Sequence, residues 1–85
     1  MSEIKGKVGI VTGGSKGIGR GIAKALATAG AHVAITARNE DEIAKSVTEL
    51  KTVASGTVAG YVCDVRDYEQ VKSVFATVAI WHRAR

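Results

Sequence analysis

The stretch Lys7-Val8-Gly9-Ile10-Val11-Thr12-Gly13-Gly14-Ser15-Lys16-Gly17-Ile18-Gly19 joins a short apolar run to a cluster of glycines, and its reading decides the fold. Lys7 to Thr12 is an apolar run ended by Gly13 and Gly14, which suits a strand buried on both faces. Behind it, Ile18, Ile22, Leu26 and Ala29 recur at helical spacing, and Gly30 closes the segment as a C-cap. A tight strand-to-helix turn alone accounts for one glycine, not for four at 13, 14, 17 and 19. The first turn of a helix leaves backbone N–H groups unpartnered, and the helix dipole adds partial positive charge there. Glycines let the backbone approach an anion without Cβ atoms intervening. The junction therefore predicts a phosphate site at the head of the first helix.

Working outward, His32 to Ala37 (HVAITA) is a second apolar run. Asn39 then caps a helix, with Glu42 three residues on as its capping-box partner. Ile43, Val47, Leu50 and Ala54 line one face of that helix, and Ser55-Gly56 ends it. Thr57 to Cys63 (TVAGYVC) is a third strand, followed by Asp64-Val65. Asp67 caps a third helix whose apolar stripe is Val71, Val74, Phe75 and Val78. Short strands joined by helices lie parallel, because parallel neighbours need a long crossover, and the crossover is right-handed. The expected fold class is α/β: the N-terminal half of a Rossmann fold, truncated, with three parallel strands alternating with three helices.

Composition narrows the function. Eighty-five residues allow one small domain, which buries only roughly 60–65% of its unfolded surface. The net charge of +4, from 12 basic and 8 acidic side chains, is spread along the chain. Scattered charge reads as a solvated surface with a few phosphate contacts, and the low aromatic content gives no stacking platform, so no nucleic-acid partner is expected. Cys63 is the single cysteine and sits in an apolar run, which excludes an internal disulfide and suits a small core residue. Met1 to Lys7 is polar, and no stretch approaches the ~20 apolar residues of a membrane span. A soluble, cytoplasmic protein with no membrane partner is expected.

A P-loop is the nearest competitor for the glycine turn. Gly14 and Gly19 have its separation, but Arg20 stands where lysine is needed and Gly21 where a magnesium-binding hydroxyl is needed. The spacing Gly13-x3-Gly17-x-Gly19 also differs from the Gly-x-Gly-x-x-Gly dinucleotide fingerprint. Thr12 to Gly19 instead resembles the Thr-Gly-x3-Gly-x-Gly cofactor motif of the short-chain dehydrogenases/reductases. The wording of residues 5–23 is particularly similar to that of bacterial 3-oxoacyl-[acyl-carrier-protein] reductases and related sugar and alcohol dehydrogenases. The resemblance runs from about Gly6 to Ala79, giving an NAD(P)-binding Rossmann half-domain over 1–79 and a non-family tail over 80–85. It implies cofactor contacts from Thr12, Gly13, Ser15, Lys16, Gly17, Ile18 and Gly19.

The choice of cofactor rests on the end of the second strand, where a Rossmann fold reads the ribose. The strand ends Thr36-Ala37-Arg38, with no acid before Glu40. Arg38 offers a planar fork of donors suited to a 2′-phosphate, and Lys16 adds a second positive charge. In the resembled family, alanine in place of aspartate, followed by arginine, implies NADP(H); NAD is the weaker candidate. One charge-assisted bond, about 1.5–3 kcal/mol, favours NADPH by roughly one to two powers of ten. The competing readings are a surface Arg38 paired with Glu40 or Glu42 and a merely solvated Lys16. Asp64-Val65 resembles the family's adenine contact, with the Asp64 carboxylate accepting from the amino group and the Val65 backbone meeting the ring. Asp64 as a simple turn residue is the alternative.

No catalytic residue is expected in this stretch. In the resembled family the serine, tyrosine and lysine that reduce a carbonyl come later, after an Asn-Asn-Ala-Gly stretch absent here. Tyr68 and Lys72 match Tyr-x3-Lys literally, but they open the third helix directly behind Asp64-Val65, far from the nicotinamide. His32 and His82 have no partners at ligand spacing, so no metal site is argued, and Ser15 has no base to activate it. The tail Ile80-Trp81-His82-Arg83-Ala84-Arg85 departs from the family and suggests a truncated or frame-shifted product. Without a fourth strand the first keeps an open edge, so marginal stability, association with itself or rescue by a full-length relative is expected. The resemblance makes the chain the NADP(H)-binding segment of a carbonyl or alcohol oxidoreductase, inactive alone. The alternative is a non-enzymatic nucleotide-binding module that docks on full-length relatives.

Overall fold

A computed structural model describes residues 5–13 and 17–83. The elements alternate: β1 (Val8–Thr12), α1 (Gly17–Thr28), β2 (His32–Ala37), α2 (Glu40–Lys51), β3 (Val58–Val62) and α3 (Tyr68–Arg83). The strands form one parallel sheet in the order β1-β2-β3, with Ile10 opposite Ala34 and Ile35 opposite Gly60. This is the first half of a Rossmann fold, as the alternation of short apolar runs and helices predicts. Residues 80–83, read from the sequence as the start of a tail, continue α3.

Burial follows the two-residue period of the strands. Val33 and Ile35 of the central strand pack with Val11, Val58, Ala23, Ala27 and Leu50 beneath α1 and α2. Ala34 faces the other way and packs with Cys63, Val74 and Val78 beneath α3. Being covered on both faces is why β2 reads as a continuous apolar run.

The helix faces differ in part from the sequence reading. Ile18 and Ile22, expected on the buried stripe of α1, are 84% and 49% exposed, whereas Ala23 and Ala27 are fully buried. The face of α1 turned to the sheet carries Ala23, Leu26 and Ala27, and the isoleucines at 18 and 22 lie off it. Phe75, expected on the α3 stripe, is 51% exposed, while Val74 and Val78 are buried and Val71 is packed beside them. Phe75 is one residue, roughly 100°, round the helix from Val74, which carries it off the contact face.

Caps mark most of the predicted ends. Gly30 adopts φ 93, and its N–H donates to Ala27 while Ala31 N–H donates to Leu26, both at 3.1 Å. This pair of bonds is a Schellman motif, whose left-handed residue carries no Cβ penalty when it is glycine. Asn39 Oδ1 accepts from Glu42 N–H at 3.1 Å and starts α2. Asp67 Oδ1 accepts from Glu69 N–H at 3.0 Å and starts α3. Helix α2 stops at Lys51, a turn before the expected Ser55-Gly56. There Thr52 N–H donates to Glu49 and Val53 N–H to Leu50, both at 3.1 Å, a tightening that ends the α-helical pattern. Ala54, expected within the helix, still packs against the core from the loop.

Helix α2 presses hardest on β3 at Gly60. A Cβ there runs into Ile43 Cγ2 and lies 2.9 Å from Val47 Cγ2. Gly60→Ala is expected to destabilise the chain by about 1–3 kcal/mol, since the backbone must retreat from both branched side chains. Urea denaturation followed by circular dichroism checks this through a lowered midpoint at unchanged slope.

Candidate dinucleotide site

A parallel sheet brings the carboxyl ends of its strands to one edge, and loops leaving that edge form a crevice. Here a cavity of about 540 Å³ lies among the segments that follow β1, β2 and β3. Gly13 contributes from the first, Ala37, Arg38 and Asn39 from the second, and Cys63, Asp64, Val65 and Arg66 from the third. Glu42, in the first turn of α2, and Thr36 complete the lining. The volume falls within the roughly 300–1,000 Å³ of small-molecule sites.

Backbone bonds set the edge. Gly13 N–H donates to Thr36 O at 2.8 Å, and Cys63 N–H donates to Ala37 O at 2.9 Å, carrying the strand ladders one step beyond β1 and into the β3 loop. Gly13 has φ 68 and Gly17 φ 56, the left-handed conformations a glycine turn needs. No acidic residue lies in the first turn of α1, which leaves the positive end of its dipole uncompensated there. Arg38 is exposed at the cavity, and the ion pairs among the described residues, Arg20 with Glu49 and Arg66 with Asp64, do not include it. A guanidinium at the cavity offers a planar fork of donors for phosphate, so the residues present suit a phosphorylated nucleotide.

Asp64 is held firmly. Its Oδ1 accepts from Arg66 N–H at 2.9 Å and Arg66 Nε–H at 3.0 Å, and its Oδ2 accepts from Arg66 Nη2 at 2.9 Å. Asp64 N–H donates to Gln70 Oε1 at 2.9 Å, and Gln70 Nε2 donates to Asp67 Oδ2 at 3.0 Å. The adenine-contact candidate is thereby tied to the cap of α3. The Arg66 side-chain hydrogen bonds, then its backbone bond, hold the Asp64 carboxyl down at about 2. Thr36 Oγ1, buried at the cavity wall, has no hydrogen-bond partner among the described residues.

The structure brings together Gly13, Arg38, Asp64 and Val65 from the sequence-predicted set. Thr12 ends β1 beside them, and Gly17, Ile18 and Gly19 form the first turn of α1 without lining the cavity. Ser15 and Lys16 lie outside the described residues. Arg66 was missed by sequence reasoning; the signal for it is the Asp64-x-Arg66 spacing at the end of a strand, which allows a local fork. Tyr68 is 73% exposed at the start of α3 and Lys72 is exposed on it, and neither lines the cavity. His32 Nδ1 accepts from Thr57 N–H at 2.8 Å, a structural bond at the far end of β2. Among the described residues no cluster of His, Cys, Asp or Glu is placed to hold a metal, and no helix is long and apolar enough to cross a membrane.

A half-Rossmann sheet with a phosphate-suited crevice at its carboxyl edge defines a dinucleotide-binding architecture. The short chain dehydrogenase family profile matches residues 7–83, and the chain belongs to that family. It is 42% identical over 78 residues to dehydrogenase/reductase SDR family member 1 of Mus musculus, covering 92% of this chain and 25% of that protein. It is 36% identical over 84 residues to dehydrogenase/reductase SDR family member 11 of Gallus gallus, covering 98% of this chain and 33% of that one. Among solved structures, a short-chain type dehydrogenase/reductase from Mycobacterium ulcerans superposes with a TM-score of 0.88 at 34% identity, over 92% of this chain and 29% of that one. L-sorbose reductase from Gluconobacter frateurii, solved with NADPH and L-sorbose, superposes with a TM-score of 0.84 at 37% identity, over 92% and 30%. The chain thus spans a quarter to a third of the length of these relatives.

The Asp64–Arg66 fork makes the carboxyl a titration marker. Its advantage is fully present above its ordinary value of 3.8 and is lost as the pH falls through about 2. Arg66→Ala is expected to return the Asp64 midpoint toward 3.8, read from the carboxyl carbon shift by NMR.

Proposed function

We propose that this chain binds the adenosine and pyrophosphate portion of NADPH and serves a carbonyl–alcohol oxidoreductase. The observation that carries this reading is Arg38, exposed on the same cavity as Gly13, Asp64 and Val65, with Ala37 rather than an acid before it. An acid there holds the free ribose hydroxyls of NADH and repels a 2′-phosphate; a guanidinium does the reverse. In the proposed pose the pyrophosphate lies against the turn from Thr12 to Gly19, with Ser15 as a further donor and Lys16 as a second positive charge for the 2′-phosphate. The 2′-phosphate meets Arg38, and the adenine meets Asp64 and Val65. NADPH bound to the sorbose reductase supports this cofactor over NADH. The likeness of residues 5–23 to 3-oxoacyl-[acyl-carrier-protein] reductases makes acetoacetyl thioesters the first substrates to try. Arg38→Asp is expected to lose NADPH affinity by about ten- to hundred-fold and to favour NADH. Fluorescence titration with both nucleotides decides it, and unchanged preference removes the assignment.

A second reading rests on a different observation. Among the described residues, in the sheet order β1-β2-β3, β1 is hydrogen-bonded on one side only, and Ile22, Phe75 and Ile80 stand exposed on the helices. These features support a nucleotide-binding module that docks on a longer relative or on another copy of itself. Sedimentation of the chain alone, and mixed with a full-length relative, separates the two readings. A monomer that ignores the relative leaves the first.

A further inference from the structure

We propose that Arg66 is a positioning residue for base recognition: by filling three of the four acceptor positions of the Asp64 carboxylate, it leaves one, on Oδ2, for a single exocyclic amino donor. The count comes from geometry. A carboxylate offers about four lone-pair positions. Arg66 N–H and Nε–H take both on Oδ1, at 2.9 and 3.0 Å, and Nη2 takes one on Oδ2, at 2.9 Å. Asp64 lines the cavity, and its backbone N–H is anchored on Gln70 Oε1. Both the backbone and the head of this side chain are therefore fixed.

Fixing the carboxylate determines which base it accepts. A 6-aminopurine brings N–H to the remaining position on Oδ2. A 6-oxopurine brings a carbonyl oxygen there, lone pair against lone pair, and carries its donor one ring position away, on N1. Only a carboxylate free to turn reaches that donor, and the two-point Arg66 fork prevents the turn. Arg66 is itself largely exposed, at 75% of its side chain, and an exposed ion pair contributes little to folding. Its consequence lies in orientation, so its removal tests recognition without dismantling the fold.

This inference rests on the NADPH reading, and the experiment separates the two. The 85-residue chain is titrated with NADPH and with its reduced hypoxanthine analogue, in which oxygen replaces the 6-amino group. The unsubstituted chain is expected to prefer NADPH by about ten- to hundred-fold, the range of one charge-assisted bond. Arg66→Ala is expected to shrink that ratio by about tenfold while leaving the urea midpoint in place, and Arg66→Lys to recover part of it through one of the two contact points. An unchanged ratio in Arg66→Ala overturns the inference and leaves the NADPH reading standing. Loss of NADPH relative to NADH with the base ratio intact also overturns it, making Arg66 a phosphate ligand. Failure of the unsubstituted chain to bind either purine dinucleotide overturns both.

Discussion

Three strands that run in one direction must send their chain back over the faces of the sheet between them, and everything else follows from that requirement. Helices α1 and α2 return over one face and α3 covers the other, so the central strand is shielded on both sides by Val33, Ile35 and Ala34 packing in opposite directions. The same requirement gathers the segments after each strand at one edge. The turn after β1, the loop after β2 and the loop after β3 meet there, although Gly13, Arg38 and Asp64 are far apart in the chain. Chemistry at that edge is a property of topology before it is a property of any side chain.

Order and polarity at the edge come from short-range bonds. Asn39 and Asp67 cap the two helices that leave it, and Gln70 links the Asp67 cap to Asp64. Each of these contacts is weak by itself, since a neutral hydrogen bond contributes only about 0.5–1.5 kcal/mol. Together they give the loop after β3 a defined course, and a defined loop is what turns an acidic residue into a directional acceptor.

Much of this was legible in the residues. The apolar runs at 7–12, 32–37 and 57–63 and the glycines between 13 and 19 announced the alternation, and Asn39, Asp67 and Gly30 marked ends where caps are found. The helix faces were less legible. A periodicity argument ranks isoleucine above alanine, yet α1 buries Ala23 and Ala27 and exposes Ile18. How near a helix lies to its sheet is settled by the strand side chains beneath it, and no window along one helix contains them. The site was legible in its chemistry and not in its internal contacts: Arg38 and Asp64 stood at strand ends, whereas the grip of Arg66 on Asp64 depends on the turn between them.

The alanines of α1 carry one more implication. Gly9 faces Leu26 Cδ1, where a Cβ would stand at 3.3 Å, and Ala23 and Ala27 are fully buried against the strands. The helix is thus seated at a fixed height above the sheet, and its amino end, with the amides of its first turn, takes that height as its own. A bulkier side chain in the middle of α1 acts like a shim: it lifts the whole rod and moves those amides without touching one of them. The small residues in the interior therefore help set where the amino end of the helix sits, more than a helical turn away.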